Sequence, residues 1–318
     1  MDNFLPRELP KRSDNKLNKN KNRKSAPFIL GLTILLSLGL WFLGNHPSDQ
    51  IPPPSFFNQA TPTISPTPTP FDQTKEIIKQ VNNLTANLTG DYGLYVFNLT
   101  TKISFGISEN QVFKAASLMK LPLILTLYKN VEAGKIDLQT KYTLKAADKR
   151  PGAGSMYYKP AGTVYTYQKM VELMGQQSDN TAFNVFRNLL GDEQIQKTID
   201  DLGMTKTNFT DFETAPAEIG LFFRKFYSGS ILTRAHRDEI LAYITKIFDE
   251  SRIPAGIPAG VRVTHKVGTD TGVASDGGIV FGTKPYIIVI MSDKNLKVEA
   301  DAVLPKISSA VWEFETKP

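Results

Sequence analysis

The chain has 318 residues, with 37 Lys+Arg against 31 Asp+Glu, three histidines and no cysteine. Eight of the basic and three of the acidic residues lie in the first 24 positions, leaving 29 against 28, so the positive balance gives no argument for a nucleic-acid-binding body. The lack of cysteine excludes disulfides, a thiol nucleophile and a thiolate metal site, and His46, His236 and His265 are too scattered to suggest a histidine metal cluster.

In chain order, residues 1–24 form a basic stub. Residues 25–48 carry no Asp, Glu, Lys or Arg. A helix rising about 1.5 Å per residue from Ala26 to His46 would cover roughly 32 Å, which matches a hydrocarbon core. A cleaved signal peptide is the competing reading, but it expects a shorter apolar stretch ending in small residues, whereas this one ends W-F-L-G-N-H-P. The basic residues ahead of the span would stay in the cytoplasm, placing everything after it outside a plasma (inner) membrane. Residues 49–70 repeat Thr-Pro, which favours extended conformations and reads as a stalk. The folded body is therefore expected over 71–318.

Within the body, D-Q-T-K-E-I-I-K-Q-V-N-N-L has helical periodicity, and Y-G-L-Y-V-F-N-L and T-K-I-S-F-G-I alternate as short strands. A helical middle runs from Ser117 to about Phe248. Strands return at V-R-V-T-H-K-V, G-G-I-V-F-G and Y-I-I-V-I-M-S, and the last segment reads as a helix despite Pro305. Strands at both ends with helices between them imply an α/β (α+β) body. Its terminal parts share one sheet covered by the first and last helices, with the helical middle as a second lobe and a cleft between the two.

Three polar clusters interrupt this pattern. In K-A-A-S-L-M-K-L-P-L, Ser117 and Lys120 are three apart and share a helix face, close enough for an amine to take the hydroxyl proton if apolar surroundings keep it neutral. In Q-Q-S-D-N-T-A, Ser178 is placed to relay a proton and Asn180 to clamp a substrate amide. In V-T-H-K-V-G-T-D-T-G, Lys266 is placed to hold a carboxylate, and Gly268 would let a substrate backbone approach. Each alone also reads as an ordinary cap or solvated lysine.

Together, Ser-x-x-Lys, Ser-Asp-Asn and Lys-x-Gly, spaced 61 and then 88 residues apart, resemble the penicillin-recognising serine hydrolases, in particular class A β-lactamases and related D,D-peptidases. The resemblance covers about residues 71–315. It implies an antiparallel sheet flanked by helices plus an all-helical lobe. It also implies Ser117 as nucleophile, Lys120 as acylation base, Ser178 as relay and Asn180, Lys266 and Gly268 as substrate-binding residues. The backbone N–H groups of Ser117 and Thr269 would form the oxyanion hole. Neither cofactor nor metal is implied.

Three departures bear on the subtype. The segment L-G-M-T-K-T-N-F-T-D-F-E-T-A-P is short where class A β-lactamases carry a glutamate that activates the deacylating water. Counted forward from L-G, Glu213 falls at that glutamate, but counted back from T-A-P it comes too late. Val267 stands where a hydroxyl is usual, with Thr269 or Thr271 as substitutes, and Asp276 lies near where many class A enzymes have a carboxylate-binding arginine. The leading expectation is an anchored penicillin-binding D,D-carboxypeptidase-like enzyme acting on peptidoglycan stem peptides. The alternatives are a class A-like β-lactamase using Glu213, and an inactive peptidoglycan-binding module.

Overall fold

The computed structural model describes residues 70–317. The basic stub, the apolar span and the stalk up to residue 69 lie outside them. No helix among the described residues is long and apolar enough to cross a membrane.

Helix α1 (Pro70–Thr85) leads into β1 (Asp91–Asn98) and β2 (Ser104–Ile107), which pair antiparallel. The chain then leaves the sheet for the helical lobe. A two-residue strand β3 (Phe113–Lys114) and a 3₁₀ turn at Ala116–Met119 precede α2 (Lys120–Glu132). A small ribbon, β4 (Lys141–Thr143) with β5 (Val164–Thr166), is followed by α3 (Tyr167–Gln176), α4 (Asn180–Leu190) and α5 (Asp192–Asp201). Strand β6 (Glu213–Thr214) returns to pair with β3 before α6 (Pro216–Ser228) and α7 (Arg234–Tyr243). The chain closes with β7 (Arg262–Asp270), β8 (Val273–Phe281), β9 (Tyr286–Asp293) and α8 (Lys297–Thr316), which contains Pro305.

The five long strands form one antiparallel sheet in the order β2-β1-β9-β8-β7, so the first and last strands of the body meet at its centre, Leu94 opposite Ile290. Both faces of this sheet are covered. On β9, Ile287, Val289 and Met291 join the core shared with the helical lobe, while Tyr286, Ile288 and Ile290 join the one under α1 and α8. Tyr95 and Phe97 of β1 alternate with Leu94 and Val96 in the same way. A strand buried on both sides reads as a continuous apolar run, which is why Y-I-I-V-I-M carries no polar position.

Helix α2 runs through the middle of the body, and every residue from Lys120 to Tyr128 is buried. It packs against α4 and α5 in the lobe, and the turn ahead of it packs on β7 and β8. The ribbons β3–β6 and β4–β5 are absent from the sequence-based expectation; strands of two or three residues show no period to read.

Gly220 of α6 lies where an added Cβ would overlap the ring of Tyr95 on β1. Gly220→Ala is expected to destabilise the body by about 1–3 kcal/mol through overpacking, measured by denaturant unfolding. Unchanged stability would mean that the Tyr95 ring swings clear.

Candidate active site

Ser117 lies in the 3₁₀ turn ahead of α2, its backbone shaped by Ala116 at φ 45°. That left-handed value costs a non-glycine residue about 1–3 kcal/mol and survives only where surrounding structure enforces it. Here Ala115 N–H donates to the Phe212 carbonyl at 2.7 Å on one side. On the other, a Cβ at Gly268 would sit 2.6 Å from the Ala115 carbonyl oxygen, so β7 lies directly on the turn. The glycine is thus required by the chain's own packing, a reason different from the substrate approach expected for it.

Lys120 Nζ donates to Ser117 Oγ at 2.7 Å and to Asn180 Oδ1 at 2.9 Å, and stands 5.3 Å from the centre of the Phe183 ring. Only 3% of the residue is exposed. Burial lowers its pKa from 10.5 to about 7, against the opposing charge of Asp179. The neutral amine therefore has a lone pair beside a hydroxyl near neutral pH, the arrangement general-base activation of a serine needs.

The Ser178–Asp179–Asn180 segment joins α3 to α4. Asp179 is fully buried and caps α4, its Oδ1 accepting from the N–H groups of Thr181 and Ala182 at 2.9 Å. Its Oδ2 accepts from Met156 N–H at 2.8 Å, which ties the 150–156 loop to the helix start. With Asp179 as the fixed point, Ser178 at φ 55° and Asn180 project on either side. Asn180 also donates through Nδ2 to the Pro151 carbonyl at 2.9 Å, so its carbonyl oxygen is oriented toward Lys120.

On β7, Lys266 is wholly buried. It donates to Ser178 Oγ at 2.9 Å and to the Val267 carbonyl at 2.8 Å. Burial first, then the charge of Lys120, holds its pKa well below the ordinary lysine value. The structure thus brings together Ser117, Lys120 and Asn180 in one hydrogen-bonded group and Ser178 and Lys266 in a second, the two joined through the chain at 178–180, with Gly268 against the turn that carries Ser117. Thr269, next on the strand, is exposed, and its hydroxyl accepts from Arg252.

Arg252 was not foreseen in the sequence. It lies in a turn after α7, only 2% exposed. Its Nη1 donates to the carbonyls of Gly268 (2.9 Å) and Ser275 (2.7 Å), and its Nη2 to Thr269 Oγ1 (2.7 Å). Its Nε has no partner, and no carboxylate forms an ion pair with it among the described residues. Unlike the two lysines, a guanidinium keeps its charge at any working pH. No local signal separates Arg252 from other loop arginines; the clue was Asp276 standing where an arginine was expected. Asp276 itself is paired, with His265 Nδ1 2.9 Å from its Oδ1.

Glu213 stands apart from this set. It is paired opposite Lys114 in the β3–β6 ribbon, and its carboxylate accepts from Lys114 Nζ at 2.7 Å. The short loop before it closes as a hairpin, with Asn208 and Glu213 exchanging backbone hydrogen bonds at 2.8 and 3.1 Å. What the loop offers toward Lys120 is aromatic: Phe209 and Phe212 pack against Phe183, the ring facing Lys120 Nζ. Among the described residues, no group of three or more His, Asp or Glu is placed to hold a metal ion.

A serine against a buried lysine, a second serine on a strand lysine and an antiparallel sheet backed by helices define a penicillin-recognising serine hydrolase. The model of the beta-lactamase enzyme family matches residues 76–314, and the chain belongs to that family. It is 21% identical to β-lactamase VEB-1 of Pseudomonas aeruginosa over 276 residues, 76% of this chain and 91% of that one. Among solved structures it resembles PBP-A, at 26% identity and TM-score 0.71 over 75% of this chain and 95% of that one. It also resembles a β-lactamase from Sphaerobacter thermophilus, at 24% identity and TM-score 0.72 over 77% and 98%.

The lowered pKa of Lys120 sets a pH dependence. Between about 7 and 10.5 the folded state has lost a proton that the unfolded chain keeps, so the Lys120 contribution to stability is complete above 10.5 and is lost as pH falls to about 7. The rate of serine acylation is expected to rise with pH through about 7 and then level off, measured in single turnover with a penicillin. A rate flat from about pH 6 to pH 9 would remove Lys120 as the group that must be neutral.

Proposed function

We propose that the protein is a penicillin-binding serine D,D-carboxypeptidase-like enzyme. It would act on peptidoglycan stem peptides outside the plasma membrane, to which residues 25–48 would anchor it. The observation that carries the reading is the engagement of Glu213 by Lys114; among the described residues no carboxylate hydrogen-bonds to Ser117, Lys120 or Asn180, where it could activate a deacylating water. A PBP-A variant has been solved as an acyl-enzyme with penicillin G, at 26% identity to this chain, which supports a similar adduct here.

In this mechanism neutral Lys120 takes the Ser117 proton as Oγ attacks the scissile carbonyl carbon. The oxyanion is received by the backbone N–H groups of Ser117 and Thr269. As the C–N bond breaks, Ser178 passes a proton to the departing nitrogen and the proton that Lys120 took from Ser117 replaces it, which returns Lys120 to its neutral form while Lys266 holds the Ser178 hydroxyl in place. Arg252 and Thr269 hold the terminal carboxylate, because Arg252 is the permanent cation and Lys266 is already engaged by Ser178. With a stem peptide, D-alanine leaves and makes room for water to release the acyl group. With a β-lactam the leaving nitrogen remains attached, and without a placed base the adduct persists.

Intact-mass measurement after brief exposure to penicillin G is expected to show one stable adduct. Ser117→Ala should abolish it, and Glu213→Gln should leave its lifetime within about twofold. Rapid turnover that Glu213→Gln arrests would establish the β-lactamase reading instead. If neither penicillin nor a D-alanyl-D-alanine peptide reacts, yet Ser117→Ala protein binds peptidoglycan fragments, the chain is a binding module.

A further inference from the structure

Arg252 is a loop residue, yet the guanidinium is held as firmly as a strand residue would be. The cause lies one residue on, at Ile253. Its N–H donates to Asp276 Oδ2 at 3.0 Å, and its carbonyl accepts from Ser308 Oγ of α8 at 2.8 Å. Both partners are fully buried, so the peptide groups flanking Ile253 are gripped from the sheet and from the helix. Before Arg252 the turn is closed by Asp249, whose Oδ1 accepts from Ser251 N–H at 3.1 Å.

Asp276 is in turn held by His265, whose Nδ1 lies 2.9 and 3.0 Å from its two carboxylate oxygens, while Nε2 lies 3.3 Å from Glu250. His265 on β7 and Asp276 on β8 are both fully buried, and neither touches Ser117, Lys120, Ser178 or Lys266 through a hydrogen bond. An ion pair in the core is weak as a source of stability, so its retention calls for another reason. Burial disfavours charge on His265, but Asp276 and then Glu250 raise its pKa to about 9, so it is protonated near neutral pH. The charge of Asp276 is thereby paired with that of His265.

We propose that Asp276, with His265 behind it, is a positioning residue for Arg252. By gripping the Ile253 amide it fixes the guanidinium beside Thr269, and so sets the preference of the site for substrates with a free carboxylate. This rests on the reading of Ser117 as the acylated serine. Arg252 is spent on two carbonyls and a hydroxyl, all neutral acceptors, and is only 2% exposed, with the charge of Asp249 acting on it, so it serves a ligand through the exposed Thr269 whose hydroxyl it holds. Moving the guanidinium by even an ångström would open those bonds and misdirect the remaining donors. The grip on Ile253 resists that movement.

The test compares acylation by penicillin G with acylation by its methyl ester, read as intact mass against time. The wild-type protein is expected to prefer the acid. Asp276→Asn keeps the shape but loses the charge, and sets an amide N–H or a mismatched oxygen against His265. It should reduce the preference about 10- to 100-fold, the range lost with one charged hydrogen bond, through weaker binding of the acid while ester acylation stays unchanged. Arg252→Ala should lower the acid-over-ester preference as well, and the double variant should lower it little further. If Asp276→Asn does not fold, Ser308→Ala decides alone, since it frees the Ile253 carbonyl with both charges in place and should erode the preference in the same direction. A preference kept in the variant that folds, or acid and ester slowed equally, overturns the inference. Wild-type protein unreactive with both compounds would overturn the Ser117 reading and this inference together.

Discussion

An amine kept out of water between a serine hydroxyl and an asparagine carbonyl is the constraint on which the architecture depends. Lys120 has a lone pair near neutral pH only because burial disfavours its charge, and that requires the start of α2 to be covered on every side. A single helix on one sheet face would leave half its circumference wet. Covering it takes β7 and β8 below the turn, α4 and α5 alongside, and the aromatic loop residues Phe209 and Phe212 beyond Phe183. The two-part body, a sheet with a helical lobe, is the shape that surrounds this one group. The cost of burying it is limited by two hydrogen bonds and an aromatic face.

The cations of the site divide by whether they titrate. Lys120 and Lys266 lie in the same buried volume, and like charges so near disfavour their joint protonation. They are suited to moving protons. Arg252 presents a planar fork of donors and is suited to holding an anion in place. Part of the backbone strain lies here too: Ala116, Ser178 and Phe212 have φ between 45° and 55° and border the Ser117 turn or the groups facing it, whereas Lys102, Ser108, Lys246 and Lys294 share the left-handed value elsewhere.

The large elements were legible because their periods are long enough to read. The apolar runs of β1 and β9, the helical middle and the terminal helices all follow from patterning, and the 61- and 88-residue spacings pointed to the segments that meet around Ser117. What escaped was set by tertiary neighbours. Two-residue strands β3 and β6 have no period, yet their register turns Glu213 toward Lys114. Arg252 comes from an irregular turn and acquires its place only through Ile253, Asp276 and Ser308. Gly268 was legible as a close approach, but not as one to the Ala115 carbonyl.

The central strand of the sheet, β9, is nearly the last part of the body to be synthesised, and it lies between β1 and β8. While the ribosome is still adding residues before Tyr286, β1 has only β2 beside it and the two halves of the sheet have no common seam. Nascent chains must therefore wait, with the two halves of the sheet unjoined, until β9 has emerged. A premature stop there would leave two unzipped sheet fragments rather than a body with a trimmed edge.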